Sequence, residues 1–182
     1  MSKYNKMETA YFAGGCFWCL DAVFRRVAGV SACISGYAGG TKESPSYEEV
    51  SAGETGYAET VKLEYDRTVI AYDDLLSIFF YIHNPTELNR QGHDIGAQYR
   101  SIVFYADPEQ KKAAEKIIET LKASGEYDKP IVTEVRPLNQ FYSAEDYHQD
   151  YFEHNLSDPY CAFVIAPKVE KFKAAFKKFY KE

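Results

Sequence analysis

The stretch Phe12-Ala13-Gly14-Gly15-Cys16-Phe17-Trp18-Cys19-Leu20 leaves this chain few ways to fold around it. Apolar residues lead in from Ala10 to Ala13, the glycine pair breaks the run, and Leu20, Val23, Phe24 and Val27 then recur at helical spacing. The pattern predicts a strand, a tight glycine turn and a helix, with Cys16 in the first turn of that helix. Unpaired N–H groups and the positive end of the helix dipole favour a thiolate over a thiol there. The glycines let backbone approach whatever the sulfur meets. Phe17 and Trp18 suit an apolar wall around a small uncharged group. A free cysteine beside an aromatic pair is most often an inert part of a core; its place after Gly-Gly at a helix start argues for the reactive reading.

Several function classes drop out on charge and patterning. A net charge of -6, with no basic block except a lysine-rich last helix (Lys168, Lys171, Lys173, Lys177, Lys178), argues against nucleic acid. No apolar run follows residues 1–6 and no stretch is long enough to span a bilayer, so neither a signal peptide nor a membrane anchor is expected. Four cysteines among 182 residues without a secretory signal point to reduced thiols in a cytoplasmic setting. Cys16-x-x-Cys19 has no second pair or His-x-x-x-His to complete four ligands, so no metal and no other cofactor is expected. The length fits one domain over residues 1–182. Sixteen tyrosines suggest that some hydroxyls face a polar pocket, since buried ones need partners.

Read in order, residues 30–37 form a second strand, in which Cys33 is a small buried apolar residue. Residues 38–56, rich in glycine and polar side chains, are a long surface connection containing Tyr47; connections of this length are often functional. Residues 58–65 alternate, with Val61, Leu63 and Tyr65 on one face, and Glu59 stands at their start. A helix opens at Asp73-Asp74 and stops before Asn84-Pro85. A second polar loop, 86–99, carries Asp94 and Tyr99, and the strand 101–105 follows. Asp107-Pro108-Glu109-Gln110 caps a helix over Ala114, Ile117, Ile118 and Leu121 that Gly125 ends. Residues 131–135 read as a short strand, Ser143 with Asp146 as the cap of a helix carrying Tyr147, His148 and Tyr151, and 160–165 as a strand before the last helix. The first six elements run β-α-β-β-α-β. That order predicts an α+β fold, a ferredoxin-like (split βαβ) two-layer sandwich with additional C-terminal helices.

A thiolate needs a polar substrate atom and a proton source. Glu59, bordered by Gly56 and Ala58, would become a proton donor at neutral pH if its pocket were apolar; taken alone it is an exposed strand-end acid. Tyr47 and Tyr99 suit hydrogen bonds to an oxygen, or are wall residues. His148 stands among aromatics, and Asp94 beside His93 and Gly96 suits a turn cap. Cys161, in a C-terminal loop after Asp158-Pro159-Tyr160, suits attack on an oxidised Cys16. Cys19 competes, although a helix start lets it bridge to Cys16 only with local distortion.

The segments Gly-Gly-Cys-Phe-Trp (14–18), Ser-Gly-Tyr-Ala-Gly-Gly (35–40), Ser-Tyr-Glu-Glu-Val (46–50), Gly-Tyr-Ala-Glu (56–59), Asp-Ile-Gly-Ala-Gln-Tyr-Arg-Ser (94–101) and Glu-Asp-Tyr-His-Gln (145–149) occur in this order. In them the chain closely resembles the peptide methionine sulfoxide reductase A family. The resemblance implies a ferredoxin-like sandwich that reduces the S epimer of methionine sulfoxide, free or in peptides, with thioredoxin as reductant. It implies that Cys16 attacks the sulfoxide sulfur, Glu59 protonates the oxygen, and Tyr47 and Tyr99 hydrogen-bond that oxygen. Phe17 and Trp18 would hold the methyl group, Asp94 and His148 would support the site, and Cys161 would resolve the sulfenic acid. Tyr57 stands where the family usually has histidine, and Cys19 where it often has glycine. Recycling through Cys16–Cys161, through Cys16–Cys19 or by relay through both therefore stays open. The competing reading is a general thiol–disulfide oxidoreductase using Cys16 and Cys19.

Overall fold

The computed structural model describes residues 6–181, so most of the amino-terminal segment read for a signal peptide lies outside it. The elements run β1 (Met7–Ala13), α1 (Phe17–Phe24), β2 (Val30–Ala38), α2 (Tyr47–Ser51), β3 (Ala58–Asp66), α3 (Tyr72–Ile82), the short pair β4 (Arg90–Gln91) and β5 (Asp94–Ile95), and β6 (Ile102–Tyr105). There follow α4 (Pro108–Ser124), β7 (Glu134–Pro137), β8 (Phe141–Ser143), α5 (Tyr151–His154) and α6 (Ala166–Ala175). One mixed sheet has the order β7-β6-β1-β3-β2-β8. Its four inner strands meet only antiparallel neighbours among themselves, β7 lies parallel to β6, and β8 pairs antiparallel with the end of β2. The fold is α+β.

Alternation decides which side of the sheet the helices cover. In β1, Ala10 and Phe12 join the core under α1, α3, α4 and α6, while Tyr11 and Ala13 join a smaller cluster with Ala38, Ala58, Ile102 and Phe104 on the opposite face. Phe12 stacks on Phe79 of α3 with ring centroids 4.9 Å apart. In β3, Glu59 falls in phase with Val61, Leu63 and Tyr65, so the strand turns a carboxyl group toward the helices and buries it. The cap signals act as read at α4: the Asp107 carboxylate accepts the N–H groups of Glu109 and Gln110, and Gly125 ends the helix at φ +70°. Gln110 reaches back to the Ala106 N–H instead of that of Asp107.

Several sequence readings are corrected. Residues 160–165 are helical: residues 159–175 form a helix whose first turns widen to a π-turn at Cys161–Ile165. Asp158 caps it, accepting the N–H of Tyr160 at 2.8 Å, and Pro159 occupies the first position. Pro167 lacks an N–H and its ring would strike the carbonyl one turn back, which the wider turn avoids. Cys161 is therefore in a helix, not a loop free to swing. The connection 38–56 contains α2, opened by a Ser46–Glu49 capping box. The strand read at 131–135 begins at Glu134, where it meets β6. Ser143 ends β8, and the helix read after it is a 3₁₀ turn, Asp146–His148, then α5.

Gly36 in β2 faces β8, and a Cβ there would lie 2.3 Å from the Tyr142 carbonyl oxygen. Backbone cannot yield as a side chain does, so Gly36→Ala is expected to lower stability by about 1–3 kcal/mol. Chemical denaturation measures it, and an unchanged midpoint would show that β8 is not held against β2.

Candidate active site

The glycine pair sets the site. Gly15 has φ +92°, and its N–H donates to the Tyr99 carbonyl at 3.1 Å, drawing the 97–99 turn over the start of α1. Arg100 locks that turn to the neighbouring loop, donating to the carbonyls of Ala97 (2.8 Å) and Gly56 (2.9 Å). Gly14 packs where a Cβ would come within 2.8 Å of Phe79 and 3.0 Å of His83. Cys16 is not in the first turn, as the sequence suggested, but is the N-cap of α1, with extended φ −62° and ψ 128°.

Around it the chain closes a cavity of about 300 Å³, lined by Cys16, Phe17, Trp18, Tyr47, Glu59, Asp94 and Tyr99, with Tyr151, Asp158 and Tyr160. Seven of the sequence-predicted residues thus share one space. His148 stands behind it: its Nδ1 accepts the Trp18 indole N–H at 3.1 Å, and burial lowers its pKa. Cys161 is fully buried and does not line the cavity. A larger cleft of about 630 Å³, with Lys168, Lys171, Glu87 and Glu126 on its walls, is lined by none of these residues. Among the described residues no group of three or more His, Cys, Asp or Glu is placed to hold a metal ion, and no helix is long and apolar enough to cross a membrane.

Glu59 accepts the Phe17 N–H at 2.9 Å. Burial raises its pKa to about 8 against the lowering effect of that hydrogen bond, so the carboxyl keeps its proton at neutral pH. The Cys16 thiol and the Glu59 carboxyl line the same cavity and each acts on the other's pKa. The thiol's pKa runs opposite to the sequence expectation: burial, then Cys19 and the Glu59 charge, push it well above the ordinary thiol value. The helix start contributes through the Trp18 N–H but does not prevail, because the cavity removes water from the sulfur. Cys19 moves down to about 7, first through the hydrogen bond from Cys16, with Lys168 and the Tyr160 hydroxyl adding to it against burial. Burial raises Tyr47 and Tyr99, which keeps both phenols protonated as donors.

Three wall residues, Tyr151, Asp158 and Tyr160, escaped sequence reading. Tyr151 stacks on Trp18 with centroids 3.6 Å apart and planes 5° from parallel. Tyr160 donates to Asp94 at 2.6 Å and meets the Cys19 sulfur at 3.6 Å, so Asp94 acts here as an acceptor rather than a turn cap. Glu145, outside the cavity, accepts the Tyr47 N–H at 2.9 Å and the Tyr37 hydroxyl at 2.8 Å. The only local signal for Tyr160 and Asp158 was the Asp-Pro pair that opens their helix.

The family model for peptide methionine sulfoxide reductase matches residues 8–180. The peptide methionine sulfoxide reductase MsrA of Nautilia profundicola is 58% identical over 91% of this chain and 94% of its own. Among solved structures, the reduced form of Mxr1 from Saccharomyces cerevisiae is similar with a TM-score of 0.80 and 35% identity, covering 88% of this chain and 92% of that one. Mxr1 in complex with Trx2 matches with a TM-score of 0.58 and 25% identity, over 83% and 88%. With the family match spanning nearly the whole chain, this protein belongs to the peptide methionine sulfoxide reductase A family.

Proposed function

We propose that this protein reduces methionine S-sulfoxide, free or in peptides, to methionine, with Cys16 as nucleophile and Glu59 as acid. The observation that carries the assignment is a carboxyl whose pKa burial raises and a thiol that together line one small aromatic cavity. A sulfoxide sulfur is a poor electrophile until its oxygen is protonated. The Tyr47 and Tyr99 hydroxyls hydrogen-bond the oxygen, Glu59 gives it a proton, and the methyl group rests against Phe17 and Trp18. The carboxylate left behind stands beside the Cys16 thiol and takes its proton as sulfur attacks sulfur. Oxygen passes to Cys16 as a sulfenic acid and methionine leaves. Because the protons circulate within the pair, neither group has to be ionised beforehand, which suits pKa values that are both raised. Asp94 and His148 position these groups through Tyr160 and Trp18.

Cys161 resolves the sulfenic acid as a disulfide, and thioredoxin reduces the disulfide; the Mxr1–Trx2 complex supports a protein dithiol as reductant. We read residues 1–182 as one domain, which a family match over 8–180 supports. The inner strand order β6-β1-β3-β2 supports the ferredoxin-like, split βαβ description. We place the protein in the cytoplasm, where its four free cysteines would stay reduced.

Cys16→Ser is expected to abolish reduction of methionine S-sulfoxide with dithiothreitol, and Glu59→Gln to slow a single turnover by about 10²–10⁴-fold. A raised carboxyl is protonated below its pKa and loses its proton above it. The single-turnover rate should therefore fall as pH rises through about 8, and Glu59→Gln should lose that limb. Stopped-flow quench across pH measures both, and an alkaline limb persisting in Glu59→Gln would remove Glu59 from the acid role. Cys161→Ser should give one burst of methionine with thioredoxin and near-normal turnover with a small thiol. Unchanged thioredoxin-driven turnover would exclude Cys161 from recycling.

A further inference from the structure

Two consecutive arginines at the end of α1 take no part in the chemistry, yet both reach the segment that walls the cavity. Arg25 is the C-cap of the helix. Its Nη2 donates to the Asp21 carboxylate and to the Cys33 carbonyl, each at 3.0 Å, and its Nε stands 2.5 Å from a carboxylate oxygen of Asp150. Asp21 is 1% exposed, so one planar fork serves a sealed carboxylate and a second, half-exposed one. Arg26 makes a parallel contact: it pairs with Glu153 and lies over the Phe152 ring, 5.2 Å from its centroid. The two side chains hold α5 and the residue before it to the end of α1.

Asp150 is where that segment turns. It lies in the left-handed region, φ +52° and ψ 31°, between the 3₁₀ turn Asp146–His148 and α5. A residue with a Cβ adopts that conformation only rarely, and here it decides which side chains reach Trp18. His148, two positions earlier, accepts the indole N–H at 3.1 Å, and Tyr151, the next residue, stacks on the indole face with centroids 3.6 Å apart. Gln149 is pinned elsewhere, its side chain bonded to the N–H and the carbonyl of Ser35 in β2. The turn at Asp150 therefore sets where Tyr151 stands, and Arg25 is the cation that holds the carboxylate of that turn. Trp18 lies at the start of α1 and Arg25 at its end; residues 151 and 150 touch one each.

From this arrangement we infer that Arg25 and Asp150 form a clasp that keeps Tyr151 flat against Trp18 and so sets the fit of the cavity to the methyl group of the sulfoxide. Both are positioning residues, and neither lines the cavity. The inference rests on the reading of Trp18 as part of the methyl-binding wall and adds the residues that hold that wall in place. With side chains 31% and 37% exposed, the pair gains little from Coulomb attraction alone. What it fixes is an orientation, since ring planes 5° from parallel require the backbone at residue 150 to keep its turn.

Trp18 is the chain's one tryptophan, so its fluorescence reads the wall directly. Two variants open the clasp. Asp150→Gly removes the carboxylate at a position whose left-handed turn glycine adopts freely. Arg25→Lys leaves Asp21 a cation, but a single ammonium does not serve both carboxylates. Expected for each are a red-shifted Trp18 emission and stronger quenching by acrylamide. In single turnovers without reductant, the half-saturating concentration of methionine S-sulfoxide should rise about three- to tenfold, part of what a methyl-sized contact is worth in a pocket. The rate at saturation should stay within about twofold of the unsubstituted protein, because Cys16 and Glu59 are untouched. The double variant should be no worse than either single one, since both act through one contact. Either variant matching the unsubstituted protein in emission or in half-saturation, effects that add in the double variant, or a lower saturating rate at unchanged half-saturation would overturn the clasp. Failure of the unsubstituted protein to release methionine would instead overturn the reading of the cavity.

Discussion

The hydrogen bond from the Phe17 N–H to the Glu59 carboxyl joins the two halves of the site, one on a helix start and one on a strand. Its length, 2.9 Å, fixes Glu59 against the turn that presents Cys16. A backbone donor would ordinarily favour the charged carboxylate, but here removal of water outweighs it and the group stays protonated near neutrality. Burial thus decides the state of both reactive groups. It holds the thiol in its neutral form as well, so the pair is poised to exchange protons through a substrate oxygen rather than to await it ionised.

Around this pair the support is layered. Gly15 and Arg100 draw the Tyr99 turn into place, and Glu145 holds Tyr47 by its backbone N–H while accepting the hydroxyl of Tyr37, whose β2 position pairs with Glu59 on β3. Trp18 is fixed at both its polar and apolar parts, by His148 at the indole nitrogen and by Tyr151 across the ring face. Glu145 and His148 bracket one 3₁₀ turn, so that single short segment holds both Tyr47 and Trp18 in the wall.

Local chemistry carried much of this into the sequence. The Gly14-Gly15 turn, the strand periodicity and the caps of α4 depend on neighbours within a few residues, and they could be read. The phase of Glu59 with Val61, Leu63 and Tyr65 is as local, yet taken alone the residue reads as an exposed strand-end acid, and only the fold shows it buried. The strand read at 160–165 failed for another reason. Its apolar run, Tyr160 to Ile165, has no helical alternation to betray it, yet Asp158-Pro159 repeats the Asp107-Pro108 signal that opens α4. The Ser46–Glu49 box of α2 is equally local, but the glycines on either side of it mask the helix it opens. What no neighbour could reveal are contacts such as Tyr160 with Asp94, separated by 66 positions, and the edge pairings of β7 and β8. The thiol's raised pKa belongs to the same class, because the helix start is local and the burial that overrules it is not.

That reversal also separates the two readings of the Cys16-Phe17-Trp18-Cys19 sequence. A general thiol–disulfide oxidoreductase needs a first cysteine that is ionised and open to a protein-sized disulfide. Cys16 is 7% exposed, its thiol is held neutral, and the sulfur faces an acid. A disulfide brought there gains little from a proton donor, since its leaving thiolate needs none at neutral pH if its own pKa is low. A sulfoxide gains a leaving oxygen. It is also small, neutral and flanked by a methyl group that the aromatic wall accommodates, so entry into a cavity of about 300 Å³ costs no burial of charge. The features that would make Cys16 a slow exchanger of disulfides are those that make it selective for an S=O group.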